Sequence, residues 1–117
     1  KVSVPSHCAL MQPASQALAE TLAAIQFDQA TIPVIQNRHA RVETSAQGIK
    51  QALTEQLSEA VLWSKTMQEL ADKQINILIE CGSGNVLSNL AKRQAHPITS
   101  YPTDKPARLD KLMEILS

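Results

Sequence analysis

The run Ile75-Asn76-Ile77-Leu78-Ile79-Glu80 constrains the fold of this chain more than any other stretch. It is nearly all apolar and β-branched, which predicts a strand buried on both faces. Such a strand needs other elements packed above and below it. Gly82-Ser83-Gly84 follows at once and breaks the strand. The plain reading of that tripeptide is a tight turn that uses positive φ. A phosphate-binding turn is the alternative, but the full Gly-x-Gly-x-x-Gly spacing and a Walker Lys-Ser/Thr are both missing. Ser83 does not stand in a Gly-x-Ser-x-Gly elbow, so it does not read as a nucleophile. A helix carrying Val86, Leu87 and Leu90 resumes after the turn.

The flanking pattern supplies the layers. Val2 and Val4 alternate with Lys1 and Ser3, as in a half-buried strand that Pro5 ends. Pro13 suits a first helical turn, and Leu18, Leu22 and Ile25 form one stripe of a helix that closes near Phe27-Asp28. Thr31 to Ile35 reads as a short strand, demoted to an edge by Pro33, and 36–41 reads as loop. Thr44-Ser45 offers caps for a helix with Ile49, Leu53 and Leu57 on one face. A further helix turns Trp63, Met67, Leu70 and Ala71 inward. Pro97 to Tyr101 is a weak final strand. Asp104 is placed to cap a last helix with Leu109, Leu112, Met113 and Leu116 inward. Strands alternating with helices predict an α/β layer fold, with helices packed on a small, mostly parallel sheet.

Charge and composition narrow the function. The 117 residues carry 11 basic and 11 acidic side chains, so no long-range field steers nucleic acid or an anionic membrane to the surface. One Trp, one Tyr and one Phe cannot form stacking platforms for bases. No apolar run approaches the roughly 20 residues of a membrane span, and no signal-peptide pattern opens the chain. The first residue is not Met, which suits an internal piece or a processed product. Cys8 and Cys81 lie far apart and read as two reduced, partly buried thiols in a cytoplasmic protein. No two histidines have metal-ligand spacing, so no metal is expected. From the residues alone, His7 reads as a satisfied loop or core histidine, His39 and His96 as exposed loop residues, and Gln56 as a solvated amide at a helix end. Cys8 beside His7 does not make a dyad, because neighbours in extended chain point to opposite sides.

Five blocks in order change the weight of His7. Val4-Pro5-Ser6-His7-Cys8-Ala9-Leu10-Met11 resembles the catalytic-histidine segment of the malonyl-CoA:acyl carrier protein transacylases of bacterial fatty acid synthesis. Pro33-Val34-Ile35 with Gln36-Asn37 is similar to that family's short strand ending in an Asn pair. Gln56 occupies the position of a family glutamine near the active site. Val61-Leu62-Trp63 resembles its Val-x-Trp, and Glu80 to Leu87 resembles its Glu-x-Gly-Pro-Gly-x-x-Leu turn. Ser83 replaces the Pro of that turn, Ser58-Glu59-Ala60 replaces the family's Tyr-Asn-Pro, and Gln36 replaces the first Asn. From about His96 onward the resemblance carries no further.

The resemblance implies that 1–117 is the C-terminal part of an acyltransferase domain. Most of it would belong to the α/β-hydrolase-like subdomain, and its first strand to the ferredoxin-like one. The implied reaction moves a malonyl group from coenzyme A to the pantetheine thiol of acyl carrier protein, with no cofactor. His7 is the implied base, with Gln56 and Asn37 as histidine-orienting or pocket positions. A main-chain carbonyl near Gln56 is the implied partner of the ring. The family's nucleophilic serine, its malonyl-pairing arginine and its oxyanion amides would lie upstream of these residues. The chain alone is therefore expected to be inactive. It is also expected to associate with itself or with the missing N-terminal part. Two other readings stay open: the acyltransferase portion of a polyketide synthase, and a non-catalytic α/β interaction module on the same scaffold.

Overall fold

A computed structural model describes residues 5–96 and 98–117. The expected strand at Val2 and Val4, and with it any ferredoxin-like strand, lies outside the described residues. So does Pro97, the start of the expected last strand. The chain divides into two compact units, one running through Thr66 and one from Met67 onward.

The first unit opens with a single 3-10 turn, Ala9–Met11, that runs straight into helix α1, Gln12–Ala23. Pro13 sits in the first turn of α1, where its missing N–H costs no helix bond. Leu22 is buried from this helix and Leu18 is half-buried, but Ile25 is exposed. The helix ends four residues before the expected Phe27. Ala24 and Ile25 bond back in i→i+3 fashion to Thr21 and Leu22, and the Lys50 ammonium takes the carbonyl of Ile25. The last turn is thus tightened and its end capped by a side chain from another helix.

Strand β1 is only Val34–Ile35. It pairs antiparallel with β2, Val42–Glu43, in the register Val34↔Glu43 and Ile35↔Val42. The intervening turn closes on Gln36 N–H to Arg41 O and on Ala40 N–H to Gln36 O, with Ala40 at φ 51°. Helix α2, Ala46–Glu55, begins at Ser45, whose hydroxyl accepts from the N–H of Gly48. This is the cap the sequence predicts. Ala52 is the buried residue of α2, while Ile49, Leu53 and Leu57 are half-buried. Helix α3, Trp63–Asp72, spans the division between the units and buries Met67.

The second unit is a β–α–β piece with a closing helix. Strand β3, Ile77–Glu80, pairs in parallel with β4, Thr99–Pro102, from Ile77↔Thr99 to Glu80↔Pro102. Helix α4, Val86–Ala91, forms the crossover, and α5, Pro106–Leu116, follows β4. Among the described residues the strands form two pairs, one antiparallel and one parallel. Gly82 at φ 134° and Gly84 at φ 82° give the predicted tight turn between β3 and α4. Both are open to a conformation that L side chains resist.

Three expectations about this unit fail. Strand β3 is not buried on both faces: Ile75, Ile77 and Ile79 are 41%, 41% and 39% exposed. Ile77 and Ile79 lie on one face by the two-residue alternation of a strand, and among the described residues β4 is its only paired neighbour. Of the inward set predicted for α5, only Leu112 is buried; Leu109, Met113 and Leu116 are exposed. Asp104 does not cap α5. Its carboxylate instead takes the Arg108 guanidinium at 2.7 Å, and Lys105 stands at the cap position.

Candidate active site

His7 follows the rigid Pro5 and adopts φ 57°, a left-handed conformation unusual for a non-glycine residue. Two bonds hold it there. Its N–H donates to the carbonyl of Leu57 at 3.1 Å, and its ring Nδ1 bonds the carbonyl of Gln56 at 2.7 Å. Both carbonyls belong to the turn that ends α2, where the last C=O groups of a helix have no partner within it. His7 satisfies them from a distant segment.

The bond to Gln56 fixes the ring chemistry. A carbonyl oxygen only accepts, so Nδ1 must carry the proton. Neutral imidazole has one N–H, so Nε2 carries the lone pair. The residue is exposed, which leaves that lone pair accessible to an incoming hydroxyl or thiol. A histidine held this way is set up to take a proton at Nε2.

The structure brings the three site residues expected from the sequence together. Asn37 Nδ2 donates to Gln56 Oε1 at 3.3 Å, while the Gln56 carbonyl holds His7. Asn37 is itself anchored, since its carbonyl accepts from Leu62 N–H at 2.9 Å. One residue along each strand of this network, Arg38 and Glu55 form an ion pair at 3.0 Å. Cys8 takes no part, because its thiol turns back to the carbonyl of Pro5 at 3.4 Å.

Other expected or overlooked residues fall elsewhere. His96 is exposed, as expected. His39 is not: it is half-buried, with Nδ1 enclosed and without a hydrogen-bond partner. Two carboxylates that sequence reasoning missed organise their surroundings. Glu43 Oε1 accepts from the N–H of Thr44, the N–H of Ser45 and the hydroxyl of Ser45. The Ser45 hydroxyl, above all, holds the Glu43 carboxyl below its usual range. Glu80, 8% exposed at the end of β3, accepts from Leu87 N–H, Ser88 N–H and Ser88 Oγ at 2.9, 2.9 and 2.6 Å. The Ser88 hydroxyl is the largest cause of its lowered pKa. The one available signal for Glu80 was an acid closing an apolar strand shortly before a helix start, where a carboxylate complements the free N–H groups.

Among the described residues no group of three or more His, Cys, Asp or Glu is arranged to hold a metal ion. A groove of about 540 Å³ runs between α1 and α2, lined by Ala19, Leu22, Lys50 and Gln51 among others, but His7 is not on its wall.

The described residues form an α/β protein that presents an exposed histidine held at Nδ1 by a main-chain carbonyl. The crystal structure of malonyl-CoA:acyl carrier protein transacylase from Xanthomonas oryzae pv. oryzae superposes with a TM-score of 0.91 at 40% identity, covering 97% of this chain and 36% of that one. The expectation of an α/β fold matching the C-terminal portion of the transacylases therefore holds. The malonyl CoA-acyl carrier protein transacylase of Salmonella typhimurium is 44% identical over 108 residues, which is 92% of this chain and 35% of that protein. This chain is a relative of the malonyl CoA-acyl carrier protein transacylases, and it spans about a third of their length. A second similar structure, a malonyl-transacylase in complex with its type II polyketide synthase acyl-carrier protein, gives a TM-score of 0.90 at 38% identity over 97% of this chain and 37% of that one. No family model matches the chain.

Proposed function

We propose that this chain is the histidine-bearing part of a malonyl-CoA:acyl carrier protein transacylase, one acyltransferase domain whose nucleophilic serine lies on polypeptide outside this sequence. The observation that carries the proposal is the Nδ1 bond of His7 to the Gln56 carbonyl, which leaves the lone pair on Nε2 and supports its role as base. In the first half-reaction Nε2 takes the serine proton as Oγ attacks the malonyl thioester carbonyl. The tetrahedral intermediate collapses, the C–S bond breaks, and the coenzyme A thiolate leaves with the proton that His7 returns. In the second half-reaction Nε2 takes the proton of the pantetheine thiol. The thiolate attacks the acyl-serine, and serine leaves reprotonated by the same imidazolium. A main-chain carbonyl orients the ring in place of the more familiar aspartate. Asn37 steadies the Gln56 amide beside it.

The chemistry needs no cofactor beyond its two thioester partners, coenzyme A and carrier protein. Cys8 and Cys81 are both free thiols, which suits a cytoplasmic setting. No helix among the described residues is long and apolar enough to cross a membrane. A second reading places the acceptor on a polyketide carrier, and the 38% identical transacylase seen with such a carrier favours it. Parallel transfer assays with fatty-acid and polyketide carriers separate the two.

The test uses a transacylase that contains this chain. His7→Ala is expected to lower transfer by about 10²–10⁴-fold, the range for a lost general base. Gln56→Ala keeps the main-chain carbonyl, so it is expected to cost far less. Transfer by His7→Ala near the unmodified rate would remove His7 from the mechanism. The chain on its own is expected to gain no covalent malonyl group from malonyl-CoA, as read by intact mass.

A further inference from the structure

We infer that Ser15 is a positioning residue for His7. The inference rests on the reading of His7 as the base. The imidazole and its carbonyl partner come from two segments far apart in sequence. His7 precedes α1 by a few residues, and Gln56 ends α2. The ring is exposed and sits on a short post-proline stretch at positive φ, so local structure alone does not fix it. A bond of 2.7 Å between such segments lasts only while their separation is held to a fraction of an ångström.

Ser15 braces those same two segments. It lies in the second turn of α1, only 3% exposed, and its hydroxyl donates to the carbonyl of Thr54 at 2.8 Å. Thr54 is two residues before Gln56, and Ser15 is eight residues after His7. The Ser15–Thr54 bond and the His7–Gln56 bond therefore tie α1's leading segment to α2's last turn in parallel. The competing partner of the Thr54 carbonyl is weaker, since the N–H of Leu57 lies 3.4 Å away. Thr54 spends its own hydroxyl on the Lys50 carbonyl. With the Ser15 hydroxyl gone, only His7's own two bonds, its N–H to the Leu57 carbonyl and its Nδ1 to the Gln56 carbonyl, set the distance between the last turn of α2 and the chain that carries His7, and the buried brace beside them is lost.

The experiment reads the ring itself, in a transacylase that contains this chain, by ¹⁵N NMR at alkaline pH, with the His7 signals assigned by their loss in His7→Ala. The unmodified chain is expected to show His7 with its proton on Nδ1. Ser15→Ala is expected to lose that preference and drift toward the tautomer mixture of a free imidazole. Ser15→Cys, close in size but a weak donor, should shift the same way, and Ser15→Thr, which keeps the hydroxyl, should restore Nδ1–H. A folded Ser15→Ala or Ser15→Cys chain with the unmodified tautomer would overturn the inference, leaving Ser15 a purely structural hydroxyl. Failure of both variants to fold counts against it equally. A tautomer shift alongside a His7 that proves dispensable for transfer would instead sink the base reading and leave the positioning role intact.

Discussion

At the residue scale, two kinds of side chain differ in how far the sequence exposed them. His7, Gln56 and Asn37 became visible together only through their resemblance to a family. Nothing in local spacing links positions 7, 37 and 56, because the bonds joining them form between segments brought together by the fold. Glu80 was hidden for a different reason. A carboxylate at a strand end looks solvated in one dimension, whereas here three donors converge on it and keep it ionised. Its pKa in the folded chain lies below the ordinary value of 4.5. A carboxylate depressed on folding stabilises the native state fully above its unfolded pKa, and that stability disappears as pH falls through the folded value. Urea unfolding between pH 7 and pH 3 should therefore show a loss of stability below about pH 4.5. Glu43 is lowered in the same direction and adds to that loss. The part due to Glu80 is isolated by Glu80→Gln, whose single acceptor oxygen cannot satisfy all three donors. That variant should be less stable at neutral pH, and its deficit should shrink in acid. A deficit that stays constant across the range would show that the charge of Glu80 contributes nothing.

At the scale of elements, the helices were more legible than the strands. Helix α2 announced itself through Ser45 and the spacing of its apolar residues, and α1 through Pro13, because caps and periodicity are local properties. Strand β2 was missed because two residues are too short to display alternation. The early end of α1 was also invisible, since a lysine on another helix sets it. The start of α2 supplies a prediction that runs against simple propensity. Replacing a helix-interior glycine by alanine ordinarily stabilises by about 1 kcal/mol. A methyl group at Gly48 would run into the Glu43 carboxylate and press on the Ser45 hydroxyl, and three hydrogen bonds hold that carboxylate in place. Gly48→Ala should therefore destabilise the chain in chemical denaturation. In the Glu43→Ala background the same substitution should be much less harmful, because the obstacle is gone. A stabilising Gly48→Ala in the unmodified background would show that the carboxylate swings aside at no cost.

At the scale of the molecule, the pattern of β3 specified a strand with both faces covered, and among the described residues only one face is. The sequence was not misleading about the strand, which is present and parallel to β4. It was silent about where the covering surface comes from. A two-stranded parallel pair with an isoleucine face 39–41% exposed is poorly protected, since parallel sheets occur almost only with both faces buried. Its open edges can also pair with another chain. In transacylases of the full length of its relatives, roughly two thirds of the polypeptide lies beyond the part that matches this chain, and that remainder is the natural candidate to close the face. Without it, association with a second copy relieves the same exposure. Sedimentation velocity over a range of concentrations should show self-association of the isolated chain. The double substitution Ile77→Lys and Ile79→Lys should shift it toward monomer while leaving the circular dichroism of the helices in place, because both side chains already stand on the open face. A chain that stays monomeric at high concentration would mean that this isoleucine face tolerates water. The burial pattern of β3 would then be a relic of its ancestry and not a present demand of its packing.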